Sequence, residues 1–351
     1  MIIYLLNKNF EKVRVIDDYI SLIWTDRYNE SGDFELYLEA TLPNVSAYQI
    51  GMYLSNTESE HMMLIETIEI KSDLADGSKL IVSGRSLESL LTRRIVWNQT
   101  VFANKSMQYI IHQVINDAII SPSNPSRRIE NFFFDDLNDE QINLIKLDKQ
   151  YTGDDIYSIV CDLCTQYGIG FKLIRTNNQF HFGLFKGNDH TQDGNSFVAF
   201  SPKFDNLISS NVITSVKGSA NVACIAGEGE GSNRKLSSTD DTVAGLDRVE
   251  LFVDARDISS KTENDITLTD EQYQSLLKDK GEAELNSHSV QTTIESEVDY
   301  NGIFKFKKDF DVGDIVIVSN EFGFIEKLRI TEMVVSDSVN GLTFVPTFKA
   351  I

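Results

Sequence analysis

Two short stretches near the start of this chain recur near its end. Ser55 Asn56 and Ser72 Asp73 … Gly77 reappear as Ser319 Asn320 and Ser336 Asp337 … Gly341 at one constant spacing, and Leu64 and Thr67 match Leu328 and Thr331 at that spacing. Both copies fall on the same expected feature, a long hairpin whose turn holds Asp76 Gly77 in one case and Asn340 Gly341 in the other. Such dipeptides supply the positive φ that hairpin turns need. The chain is therefore expected to carry a duplicated β module, one copy at each end. Its 351 residues leave room for about two to three domains, and so for more than the repeat alone.

The first module is expected to end near residue 95. Asp33 to Ala40 alternates Phe34, Leu36 and Leu38 with Glu35, Tyr37 and Glu39, the period of a strand with one face in a core. Ser86 to Arg94 then places Leu87, Leu90 and Leu91 at helical spacing, with Arg93 and Arg94 where cations suit a helix C-terminus. From residue 96 to about 203 the pattern is α+β. One helical stripe runs from Met107 to Ala118 and a second from Ile156 to Tyr167, which stops at Gly168. A hairpin through Asn177 Asn178 follows. The second β module is expected over residues 204–235 and 295–351, split by an insertion over 236–294. That insertion holds a strand near Val249 to Val253 and a helix starting at Thr269, where Thr269 and Gln272 have capping-box spacing. Pro346 lacks a ladder donor, which predicts an edge position for the last strand.

Charge and cysteine content exclude several functions. A formal charge of -21 and a pI near 4.6 have the wrong sign for a grip on nucleic acid or an anionic membrane. The start has no basic stretch before its short apolar run, and no run of about 18 apolar residues occurs, so neither a secretion signal nor a span is expected. Cys161, Cys164 and Cys224 are read as reduced thiols of a protein made in a cytoplasm.

No catalytic, cofactor-binding or metal-binding residue emerges. Cys161 and Cys164 have C-x-x-C spacing but lie inside a helical stripe without a second pair, and His181 and His190 are too far apart for a zinc-type H-x3-5-H. Gly227, Gly229 and Gly231 alternate with Glu228 and Glu230, which would repel a phosphate; a hairpin tip or bulged strand is the plainer reading. The carboxylate pairs Asp135 with Asp136, Asp154 with Asp155 and Asp240 with Asp241 stand at expected helix starts and loops, where acids face water or cap helices. Phe132 Phe133 Phe134 reads as a strand buried on both faces.

Several stretches together resemble a siphophage tail hub family of Gram-positive phages and prophages. They are Tyr4 to Phe10, Ser21 to Tyr28, Ser31 to Tyr37, Val82 to Leu91 with Arg93 to Trp97, Ala226 to Gly231, and Asp311 to Val316. The resemblance spans nearly the whole chain and implies an architecture similar to the baseplate hub of contractile-tailed phages: a β-rich α+β fold with two related tail-tube-like β-barrels plus two smaller outer domains. It also implies a homotrimer that meets tail-tube, distal-tail and tip or fibre proteins at the end of a virion tail, with DNA as passing cargo, no cofactor and no membrane binding. Lytic or receptor-binding activity would then belong to a partner. Two other classes compete with this structural reading. A receptor-binding adhesin would expose an aromatic-rich face, and a peptidoglycan hydrolase would bring acids together in a cleft.

Overall fold

Alternating side chains build the first β module of the computed structural model, which describes residues 1–73, 77–191, 196–256, 258–261, 267–299, 302–339 and 341–351. Its strands are β1 (Ile3–Leu6), β2 (Lys12–Ile16), β3 (Tyr19–Arg27), β4 (Asp33–Glu39), β5 (Tyr53–Asn56), β6 (Met62–Asp73) and β7 (Gly77–Ser86), with helix α1 (Leu42–Ala47) between β4 and β5. They pair in the order β3-β4-β7-β6-β5-β1-β2. Phe34, Leu36 and Leu38 point into a core with Trp24, Leu80 and Val82, while Glu35 and Glu39 lie on the other face, as their alternation requires. The expected helix after β7 is a tighter 3-10 turn over Leu87–Arg93. Asp76 lies outside the described residues, but Gly77 has the positive φ expected of it.

A middle unit follows. It comprises β8 (Thr100–Ser106), α2 (Met107–Ile115), β9 (Phe132–Asp135), α3 (Glu140–Leu144), β10 (Lys146–Tyr151), α4 (Ile156–Tyr167), β11 (Gly170–Thr176) and β12 (Gln179–Phe185). After Ile115 the first stripe widens into a π-helical turn through Ile120, which keeps Ala118 and Ile119 in the core. Gly168 caps α4 in the left-handed region, and Asn177 and Asn178 take the same region in the β11–β12 hairpin. The Phe132–Phe134 run corrects the expectation of two-sided burial. β9 has only one strand neighbour, β12, and Phe133 is 42% exposed while Phe132 is buried. Cys164 packs in the core and Cys161 is half-buried one turn earlier. Burial pushes the Cys161 thiol up to about 12, so neither sulfur is poised as a thiolate. Replacing both by alanine is expected to cost on the order of 1 to 3 kcal/mol in urea denaturation without binding consequences; stoichiometric zinc by elemental analysis would contradict this packing role.

The second module begins with β13 (Ala199–Phe200) and β14 (Leu207–Ser215). The chain then leaves it to form a separate small sheet of β15 (Val222–Ala226), β16 (Leu236–Ser238) and β17 (Glu250–Asp254), covered by α5 (Asp270–Ser287). Val222–Ala226, expected in the second module, thus pairs within the inserted unit. Thr269 and Gln272 form both hydrogen bonds of the capping box, and the glycine-rich segment is the tip between β15 and β16. The module resumes with β18 (Gln291–Val298), β19 (Ile315–Ser319), β20 (Ile325–Ser338) and β21 (Gly341–Ala350).

Strand for strand the two modules match. The second pairs in the order β14-β18-β21-β20-β19-β13, against β3-β4-β7-β6-β5-β1 in the first, and the inserted unit occupies the place of the short β3–β4 connection; the match ends at the last strand, since β13 runs parallel to β19 where β1 is antiparallel to β5, and β2 has no counterpart. Irregularities recur too. One extra residue interrupts the pairing at Ile20 in β3 and at Ile208 in β14, and another at Glu66 in β6 and at Thr331 in β20, so the structure sets Glu66, and not Thr67 as the sequence repeat does, in the place of Thr331, a one-residue correction along β6. The repeated Asn56 and Asn320 each accept backbone N–H groups that follow them, Glu58 and Ser59 in one copy and Phe322 and Phe324 in the other.

Two expectations need correction. Instead of closing into two separate barrels, the modules share one open sheet of 13 strands, because the C-terminal half of β20 pairs with β3. The strand with Pro346 is also not an edge: β21 lies between β18 and β20, and Pro346 is buried. Its ladder to β18 pairs at Thr347 and at Phe344 but not between them, so a local gap accommodates the missing donor.

Candidate assembly site

The seam between the modules ties them together through backbone pairing and through ion pairs and hydrogen bonds of its side chains. Seven residues of β20, Glu332 to Ser338, face Arg27 to Ser21 of β3 in antiparallel register. Arg27 donates to Glu332 at 2.6 Å and to Asp33 at 2.6 Å, tying β20, β3 and β4 across one face. On the other face Tyr19 donates to Asp337 at 2.7 Å; burial, then that hydrogen bond, push its phenol up to about 12.

Tyr28, directly after β3, joins three units. Its N–H donates to Thr331 of the second module, its carbonyl accepts from Phe171 of the middle unit, and its hydroxyl donates to Gly168 at 2.9 Å. Arg329 lies over its ring and donates to its oxygen at 3.2 Å. Two glycines make room for the ring: a Cβ on Gly170 would sit 2.4 Å from it, and one on Gly313, which also has φ +99, 2.6 Å. The Asp311 to Asp314 stretch is explained here. Buried Asp314 accepts from the N–H groups of Asn188 and Asp311 and lies 3.0 Å from His190 Nε2, which fixes the turn that presents Gly313.

A buried charge cluster adjoins the seam. Glu88 Oε1 accepts from the Leu173 N–H at 2.8 Å and lies 3.1 Å from His61 Nδ1, while Asp26 of β3 accepts from Ser59 and lies 3.5 Å from Lys307 Nζ of the second module. Burial pulls the His61 imidazolium down, but Glu88 and Asp26 outweigh it and hold its pKa up at about 9. Burial pushes Glu88 up, and the His61 charge prevails, leaving it below the usual carboxylate range. Glu88 was part of a helical stripe in sequence, where nothing distinguished it from a solvated charge; its signal is only that it sits between Leu87 and Leu90 at a position facing the core.

The carboxylate pairs do not act in pairs. Asp155 caps α4 through the Ser158 N–H, Asp154 accepts from Thr152, Asp135 contacts His181, and half-buried Asp240 accepts from Thr242. Acids do gather in one small cavity of about 210 Å³ between β10, α4 and α5, where Asp148, Asp154, Asp162, Asp279 and Glu284 surround Lys149. A larger cavity, about 1090 Å³, instead presents Arg93, Arg94, Arg127 and exposed Trp97, with Asp117 its one carboxylate. Among the described residues no helix is long and apolar enough to cross a membrane, and no group of three or more His, Cys, Asp or Glu could hold a metal ion.

Two matched β modules in a shared sheet, with a middle and an inserted unit, define a fold of phage tail proteins. It is shared by the 43 kDa tail protein of prophage MuSo2 from Shewanella oneidensis (14% identity, TM-score 0.60, 99% of this chain and 98% of that one). It is shared also by a tail protein from Neisseria meningitidis MC58 (12%, 0.58, 99% and 96%) and by prophage tail protein gp18 from Listeria monocytogenes (11%, 0.53, 100% and 95%). The chain itself belongs to the siphovirus tail protein family described as Siphovirus ReqiPepy6 Gp37-like, whose model matches residues 2–348. No curated protein matches it.

Proposed function

We propose that this protein is the hub of a phage tail, three copies of which form a ring that continues the tail tube at the distal tip and lets DNA pass. One observation carries the reading: a single chain holds two modules of identical strand order side by side in one sheet, so three chains would set six equivalent modules around an axis. In this reading the modules are the tail-tube-like units, the middle and inserted units face outward, and tube, distal-tail and tip proteins are the neighbours.

The face of the shared sheet turned away from the cores suits a passage. Asp33, Glu35, Glu39, Glu69, Glu295 and Glu332 lie on it; of its cations Arg27, Arg85 and Lys71 are held by carboxylates, and Lys79 and Lys349 share the face. Assigned to the lumen, this face would repel the phosphates of a duplex rather than hold them. The expected result is no gel shift of duplex DNA at physiological salt; a salt-sensitive shift would sink the acidic-lumen assignment. Electron microscopy of intact tails labelled at this protein tests the hub itself, with label expected as a ring at the distal end. Label along the tube or on fibres would overturn it, and clearing of a cell-wall zymogram by the pure chain would point to the hydrolase.

A further inference from the structure

The chain contains its own example of how two modules join. In the internal seam, β20 of the second module pairs with β3 of the first. The repeat identifies the counterpart of each: β6 stands where β20 stands, and β14 where β3 stands, with the matched extra residues fixing the correspondence to the residue. Neither counterpart edge is used within the chain. β6 meets β5 only through Met62 to Leu64, and β14 pairs only with β18, so from Thr67 to Asp73 and along β14 one edge stays open among the described residues.

We propose that β6 of one copy pairs antiparallel with β14 of the next copy, in the register of the internal seam; this rests on the ring proposed above and says which strands close it. Transferring the register sets Thr67 opposite Ser215, Glu69 opposite Ile213 and Ile70 opposite Val212. Open N–H and C=O groups on both edges then find partners. Ile70 and Ile213, 50% and 43% exposed in the single chain, gain cover, and the Ile70–Val212 pair takes the place that Val335–Trp24 holds in the seam. No like charges meet in this register. Glu69 and Lys71 keep the unpaired edge soluble until its partner arrives. Because the two edges differ, the contact is head-to-tail, and with the rotation of the three-copy ring proposed above it closes on itself.

Disulfide trapping of the full chain tests this. The double variant Glu69→Cys/Ile213→Cys, oxidised at high protein concentration, should give covalent dimers and trimers on a denaturing gel, while each single variant and the offset pair Glu69→Cys/Ser215→Cys stay monomeric. Cross-linking of the offset pair instead would overturn the register. If the wild-type chain forms trimers by native mass but the Glu69/Ile213 pair does not link, the strand pairing is wrong and the ring stands; with neither trimers nor links, both fall. Ile70→Lys, at a position already half exposed, should leave the melting of the monomer unchanged and weaken self-association about tenfold or more; unchanged association would count against the pairing.

Discussion

Tyr28→Ala is expected to lower the stability of the chain by about 3 to 5 kcal/mol, the range for removing a large buried aromatic side chain. The ring is 1% exposed and packs edge-on against Phe185 at 5.2 Å, so its loss leaves a cavity lined by three units at once. Gly170 and Gly313 cannot fill that space, since both lack the side chain that would do so. Tyr28→Phe separates packing from hydrogen bonding: it keeps the ring, loses the donor to Gly168 and the acceptor for Arg329, and is expected to cost about 1 to 2 kcal/mol. Equilibrium urea denaturation reads both. A loss below 1 kcal/mol for the alanine variant would mean that the three units hold together without this residue. Because the seam orients both modules, the alanine variant should also lose the proposed self-association before it loses secondary structure by circular dichroism.

Local pattern made much of this fold legible, and long-range pairing did not. The alternation in β4, the α4 stripe ending at Gly168, and the Thr269–Gln272 box each involve neighbours in sequence, and each forms as read. The duplicated hairpins were visible because turn residues repeat. What the repeat hid was its own use: β20 pairs across to β3, so the modules merge, and no local signal distinguishes a strand edge that is covered from one that is open. Pro346 misled for a related reason. A missing donor excludes one ladder bond, not a whole interior position, and the chain places that residue at a gap. Phe133 failed in the opposite direction, since three consecutive phenylalanines look alike although the strand alternates, sending Phe132 and Phe134 to the core and leaving Phe133 half exposed against His181 on the other face. The junction residues were the least legible. Tyr28, Gly313 and Glu88 all fall within the stretches that carry the family resemblance, yet each meets at least one partner more than eighty residues away, Glu88 through the Leu173 N–H.

The charge cluster gives the chain a stability profile with a stated sign. His61 has a folded pKa of about 9 against an ordinary 6.5, so its contribution is complete below pH 6.5 and fades as pH rises through 9. Glu88 is shifted the other way, from an ordinary 4.5 downward, so its contribution is present above pH 4.5 and fades as pH falls through its lowered value. The two overlap fully between about pH 4.5 and 6.5, where the pair should be strongest. Between pH 6.5 and 9 the wild-type chain is expected to lose on the order of 2 kcal/mol through this histidine alone, since each pKa unit corresponds to about 1.4 kcal/mol. His61→Gln removes the titration, so the difference between variant and wild type in urea midpoints isolates it: large at pH 6.5, small at pH 9. A difference that stays constant across that range would show that His61 is not charged in the folded chain. Glu88→Gln should abolish the slope as well, because Glu88 is the chief charge holding the imidazolium, and Asp26, shared with Lys307, is left as its remaining anion. Lys307, which brings the second module to the same cluster, opposes the imidazolium as a like charge, so neutralising His61 leaves the Lys307–Asp26 contact unopposed, and the seam is expected to hold at alkaline pH in the wild type and in His61→Gln alike.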